Sequence, residues 1–265
     1  MLDIRSKLSD MYSLEQLASK QTFLHNLHPV CKILVTFVYI LCVISFPIHN
    51  IHSLMPYVFY PMLVMAIADI PFSMIMKRAL IALPFCLFAG ISNIIFEPQI
   101  VTLGNFTIGM GWLSCFAILI RSFLTICAIL ILVAITPFPY LMDGLRQLHI
   151  PNVLVLLFEM TYRYISVLLD ETSIMLTSYR LRYPGMNWPI IKDFGPFIGQ
   201  LFVRSFQRAQ RVYAAMQCRL YALENRKPLT VKWKNKDTIF ICVISLLCII
   251  FRFVDVTTIL GGIVC

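Results

Sequence analysis

Apolar residues in this chain gather in long blocks, and the polar positions between them are short. Five blocks, at about 30–48 (VCKILVTFVYILCVISFPI), 54–71, 79–96, 112–135 (WLSCFAILIRSFLTICAILILVAI) and 238–254, each have about the length a helix needs to cross roughly 30 Å of hydrocarbon. Strands of a membrane barrel would be shorter and would alternate apolar with polar positions. The pattern therefore predicts an all-α integral membrane protein with about five transmembrane helices.

The pattern changes between the fourth and fifth blocks. TPFPYLMDGLRQLHIP (136–151) reads as a short helix bounded by Pro139 and Pro151. From Asn152 a helical pattern runs to the stop at Pro184 and Gly185, about 48 Å at roughly 1.5 Å per residue. The segment YPGMNWPIIKDFGP is read as a turn or linker, because its prolines and glycines cannot continue that helix. A second long helix is expected over about 196–223, with Pro196 in its first turn. Phe202, Phe206, Ala209, Tyr213, Met216 and Leu220 recur along it at spacings of 4, 3, 4, 3 and 4, which is the apolar stripe of an amphipathic helix. Arg204, Arg208, Arg211 and Arg219 run along the opposite side. The expected organisation is an N-terminal segment (1–28), a four-helix membrane region (29–135), a region of long coupling helices (136–237) and a last membrane helix (238–265).

Composition agrees with a bilayer. The chain is 59% hydrophobic and 13% charged, with a mean hydropathy of +0.82, whereas soluble domains carry about 25% charged residues. The first 28 residues contain Asp3, Arg5, Lys7, Asp10, Glu15 and Lys20, unlike the apolar start of a cleaved signal, so the start of the chain is expected to be retained. Basic residues then set the orientation. Residues 136–236 hold fourteen Lys/Arg against six Asp/Glu, the N-terminal segment holds three, and the loop after the second block holds Lys77 and Arg78. The loops at 49–53 and 97–111 hold none. The positive-inside rule puts the N-terminus and the long-helix region in the cytoplasm and the C-terminus outside.

Other groups add little chemistry. The nine cysteines form no CxxC pair and read as small apolar packing residues. His25 and His28 read as structural; His49 and His52, three apart, lack the nearby Cys, Asp or Glu that would complete a metal site, and none is assigned. Asp69 and Glu97 are isolated, which counts against an enzyme acting on lipid. No GxxxxGK[ST] phosphate loop occurs, so ATP hydrolysis is not expected from this chain. Arg121, inside the fourth block, is expected to face a partner group or snorkel. Glu159 and Arg163 are expected to pair along one helix face.

The arginines are the distinctive feature. The two long helices end alike, in SYRLRY (178–183) and MQCRLY (216–221). One arginine in a last turn complements the helix dipole; two matched endings point to two copies of one contact. The arginine face itself fits either a solvated or lipid-headgroup surface or a dock for an acidic partner. No nucleic-acid-binding signature accompanies the charge.

FLHNLHPVCKIL (23–34), TPFPYLMDGLRQLHIP (136–151), FEMTYRYISVLLDET (158–172) and LFVRSFQRAQRVYAAMQCRLY (201–221), in that order, resemble the transmembrane (T) component of energy-coupling factor transporters, most closely the cobalt-type CbiQ family. The resemblance implies a non-catalytic subunit of a multi-pass bacterial or archaeal cell membrane protein complex. Its expected partners are two ATP-binding-cassette ATPases (CbiO-like), which carry ATP and Mg, a metal-binding membrane S component (CbiM/CbiN-like), and lipid. The chain itself would bind no cofactor, and the S component would hold the metal. A T component shared by vitamin-specific S components is the alternative. In the family, two Ala-Arg-Gly-like motifs dock their arginines on the ATPases. The matching positions are Leu181-Arg182-Tyr183 and Cys218-Arg219-Leu220, with Arg180, Arg204, Arg208 and Arg211 as a supporting basic face. The arginine stands in both motifs; the small neighbours do not.

Overall fold

The computed structural model describes residues 22, 24–46, 52–96, 100–103, 106–183, 191–221 and 233–253. In chain order the described helices are α1 (Pro29–Ile44), α2 (Phe59–Ala68), α3 (Phe72–Phe96), α4 (Met110–Ile135), α5 (Phe138–Gln147), α6 (Asn152–Arg182), α7 (Ile191–Cys218) and α8 (Asn235–Phe253). A 3₁₀ segment, His52–Val58, leads into α2. The chain divides into two compact units, one formed by Leu14–Gly144 with Val231–Cys265 and the other including Leu145–Thr230.

The first unit is a helical membrane body. Phe72–Ser92 and Gly111–Ile135 are long and apolar enough to cross a bilayer, while Pro29–Ile44 and Leu54–Ala68 are shorter apolar helices. The second block is broken because Pro56 lies in its 3₁₀ segment and a proline removes a backbone donor. Lys77 and Arg78, expected in a loop, lie instead within the first turns of α3, which begins just after Pro71. Part of the expected loop at 97–111 is an antiparallel hairpin, β1 (Ile100–Leu103) with β2 (Phe106–Gly109), in the register Ile100 to Gly109 and Leu103 to Phe106. The two residues between the strands are Gly104 and Asn105, types that short hairpins favour.

Two buried clusters hold this body together. In one, Leu24 and Leu27 meet Val64, Met65 and Ala68 of α2 and Cys127, Ile131 and Ala134 of α4. The other joins Tyr39 and Val43 of α1 to Leu54, Tyr57, Leu124 and Cys248. The tyrosines enter this apolar region with their hydroxyls satisfied: Tyr39 donates to the Tyr57 carbonyl at 3.0 Å and Tyr57 to the Cys248 carbonyl at 2.7 Å. Every described cysteine is free, and Cys31, Cys115, Cys127 and Cys248 are buried packing residues. Outside the core, Ile81, Phe85 and Phe88 stand 78%, 81% and 78% exposed along one side of α3. Such a row is stable against lipid and would be costly against water.

One buried carboxylate ties the first and last described helices together. Asp237 Oδ1 accepts the His28 N–H at 3.0 Å, just before α1, and Oδ2 accepts the Lys234 N–H at 2.8 Å, just before α8. Each helix start has backbone donors with no intrahelical partner, and a single anion answers both where the helix dipoles favour negative charge. Gly144 of α5 makes a second close approach, since a Cβ there would come within 2.8 Å of Ile33 Cδ1.

The second unit is built on α6 and α7. By length and composition alone Asn152–Arg182 is also apolar enough to span a membrane, although the sequence pattern puts it in the long-helix region on the cytoplasmic side. α7 starts at Ile191, so the second half of the expected linker is helical and Pro196 is inside the helix. The displacement costs one backbone hydrogen bond, and Asp193 in the first turn complements the dipole there. α7 also stops sooner than expected, at Cys218.

Candidate functional site

α6 and α7 run antiparallel. Tyr179, near the end of α6, donates its hydroxyl to Asp193 Oδ2 at 2.9 Å near the start of α7, and farther along Arg204 of α7 pairs with Glu171 of α6. Beyond that pair the helices line an apolar cavity of about 750 Å³, with Leu156, Met160 and Tyr164 on one wall and Phe206, Tyr213 and Met216 on the other. The stripe of α7 from Phe202 to Met216 thus lines the space between the helices, while Leu220 lies outside that lining. On the α6 side, Glu159 meets Arg146 at 3.7 Å. It does so in place of the expected partner Arg163, because the turn after α5 brings Arg146 beside the start of α6.

The antiparallel arrangement separates the two arginine endings. Arg182 is the last residue of α6, beside the start of α7, whereas Arg219 follows the far end of α7. About 40 Å of helix lies between them at roughly 1.5 Å per residue. The two motifs are not brought together into one site.

Their local geometries differ as well. Arg182 and its neighbour Leu181 are exposed, Leu181 by 79%, and Tyr183 caps α6 with φ −125° and ψ 81°, donating its N–H to the Tyr179 carbonyl at 3.0 Å. The Tyr179 and Tyr183 rings lie 5.0 Å apart. At the other ending, the Tyr221 N–H reaches back to the Met216 carbonyl and the Leu220 N–H to the Gln217 carbonyl, both at 3.0 Å. This pair of bonds is the Schellman closure of a helix. It places exposed Arg219 at the cap and puts Leu220 in the left-handed region at φ 49°. Glycine is the residue that usually takes this position, and the Ala-Arg-Gly-like motif has glycine there. Cys218 is an exposed free thiol.

The supporting arginines divide in two. Arg204 is engaged with Glu171, and half-buried Arg208 lines both the apolar cavity and a small polar pocket beside Glu171 and Arg211. These two serve the α6–α7 crossing. Arg211 is exposed and Arg180 half-buried. In the membrane body Arg121 is half-buried within α4. Among the described residues no three His, Cys, Asp or Glu side chains converge as a metal site requires; His49 and the His52 side chain lie outside the described residues.

Two groups were not legible beforehand. Asp237 stands three residues after Lys234, the spacing at which an acidic side chain reaches back to a helix start, but the run WKNKD lacks the Ser or Thr that marks such a start. Asp193 was hidden by the adjacent proline and glycines, which read as a linker.

Comparison with known proteins follows the same features. A model of the CbiQ family, described as cobalt transport protein, matches residues 20–229, which takes in both arginine endings. The chain is 31% identical over 153 residues to the cobalt transport protein CbiQ of Salmonella typhimurium, covering 53% of this chain and 68% of the relative. It is 26% identical over 251 residues to the energy-coupling factor transporter transmembrane protein EcfT of Bacillus subtilis, covering 87% of this chain and 93% of that protein. A shorter stretch of 84 residues is 29% identical to the nickel permease LarQ of Lactiplantibacillus plantarum, covering 32% of this chain and 31% of that protein. With its membrane-spanning helices and this match over most of its length, the chain belongs to the CbiQ cobalt transport protein family, a family of multi-pass membrane transport proteins.

Proposed function

We propose that this chain is the coupling subunit of an energy-coupling factor importer, linking two ATPase subunits to a substrate-binding membrane partner, with a divalent transition metal, cobalt first, as the cargo. The observation that carries the proposal is the pair of exposed arginines at opposite ends of one antiparallel helix pair. A single acidic ligand could not meet both, whereas two copies of an acidic groove could. Arginine suits this task because its planar fork pairs with carboxylates and stays charged at any relevant pH.

The mechanism rests on rigidity. When the ATPases close on ATP and reopen after hydrolysis, the two docked helix ends are displaced relative to each other. The Arg204–Glu171 pair and the Tyr179–Asp193 bond brace the crossing, so the displacement opens or closes the apolar walls between α6 and α7. Those walls then act on the membrane partner. The N-terminus and both arginine ends lie on the cytoplasmic side in this proposal, as the basic residues require.

A second reading, a transmembrane component not dedicated to cobalt, draws support from the alignment with EcfT, which runs nearly end to end. Cobalt uptake by cells carrying the complete transporter tests both. The Arg182→Glu plus Arg219→Glu variant should reach the membrane at normal levels yet lose cobalt uptake, and normal uptake by it in cells whose cobalt uptake needs this chain would sink the coupling role. Uptake of cobalt that is unchanged when the chain is deleted points to the second reading.

A further inference from the structure

Leu220 is held in a conformation that favours glycine, yet its side chain is 89% exposed. A leucine with φ 49° carries a steric penalty between its Cβ and the backbone. The other described non-glycine residues with positive φ are Asp69 and His149, which also follow helix ends and are of residue types that tolerate this region better. At Leu220 the strain brings no packing against the described residues, so the gain that holds it is sought in a partner.

Its surroundings say what kind of contact that is. The Schellman bonds close the backbone around Leu220, leaving an exposed apolar side chain and the exposed Arg219 side by side at the helix end. At the other ending, Leu181 is 79% exposed and adjoins Arg182. We infer that each ending is a two-part anchor, arginine plus leucine, for a protein groove that carries a carboxylate beside an apolar pocket. This rests on the docking role proposed above and adds the shape of the partner surface. A lipid surface is the weaker match, since a fluid bilayer accepts a leucine in any orientation and would not require a strained backbone to aim it.

The test uses the full chain in mild detergent and the ATPase subunits that co-purify with it, with affinity measured for the wild type, for Leu181→Ala plus Leu220→Gly, and for Arg182→Ala plus Arg219→Ala. Glycine at position 220 suits the left-handed backbone, so this variant keeps the helix end intact. The leucine variant should bind the ATPases about tenfold to a hundredfold more weakly, the scale expected for losing one or two buried leucines. If its affinity is unchanged while the arginine variant loses binding, the two-part anchor is wrong and the arginine dock stands. If neither variant loses affinity, the arginine dock fails as well. If the leucine variant keeps its ATPase affinity but binds less to vesicles of anionic phospholipid, the leucines serve the membrane and the inference is overturned.

Discussion

Leu220 and its two neighbours set the chemistry of the second arginine ending. Relief of the left-handed strain predicts that Leu220→Gly raises stability by about 1 kcal/mol, visible as a higher Tm for the detergent-solubilised chain, while ATPase affinity falls. Those opposite signs separate the side chain's outward role from its backbone cost. The arginines themselves were legible from the sequence, since SYRLRY and MQCRLY match by eye. The strain at Leu220 was not, because a leucine in a helical stripe of spacing 4 and 3 reads as one more helical position. Only the closure of α7 at Cys218, two residues earlier, turns it into a cap residue.

Helix ends, more than helix interiors, decide how these elements assemble. Asp237 answers the N-termini of both α1 and α8, so Asp237→Ala leaves one buried and one part-buried backbone donor without their partner. A loss of about 2–4 kcal/mol is expected, with Asp237→Asn recovering part of it, and thermal unfolding of the two variants in one detergent measures the difference. The apolar blocks predicted the helices of the membrane body because composition over twenty residues outweighs local detail. Their ends were harder to read. Prolines pull in two directions: Pro56 interrupts a helix, while Pro196 is carried inside one. The cost of one missing donor is small beside the packing a long helix gains, and a proline's neighbours along the chain do not reveal that packing. Asp193 and Asp237 show the same limit, since Asp193 meets Tyr179 of the preceding helix and Asp237 meets His28 at the far end of the chain.

At the scale of the whole molecule, the distribution of basic residues and the antiparallel α6–α7 pair carry the functional argument. Topology is testable through Cys218, an exposed thiol next to Arg219. A membrane-impermeant maleimide should leave it unlabelled in intact cells and label it in inside-out vesicles, with Cys218→Ser as the control; labelling from outside would reverse the orientation. The family was legible in the order of four sequence stretches, whereas the separation of the arginine endings needed the direction of two helices, which spacing along a chain does not supply. The account depends above all on that separation, with one ATPase at each ending. Native mass spectrometry of the complex purified in mild detergent measures it directly. Two ATPase subunits per chain are expected for the wild type, one for Arg182→Glu or Arg219→Glu alone, and none for the double variant; single variants that keep both subunits, or lose both together, would contradict two independent anchors.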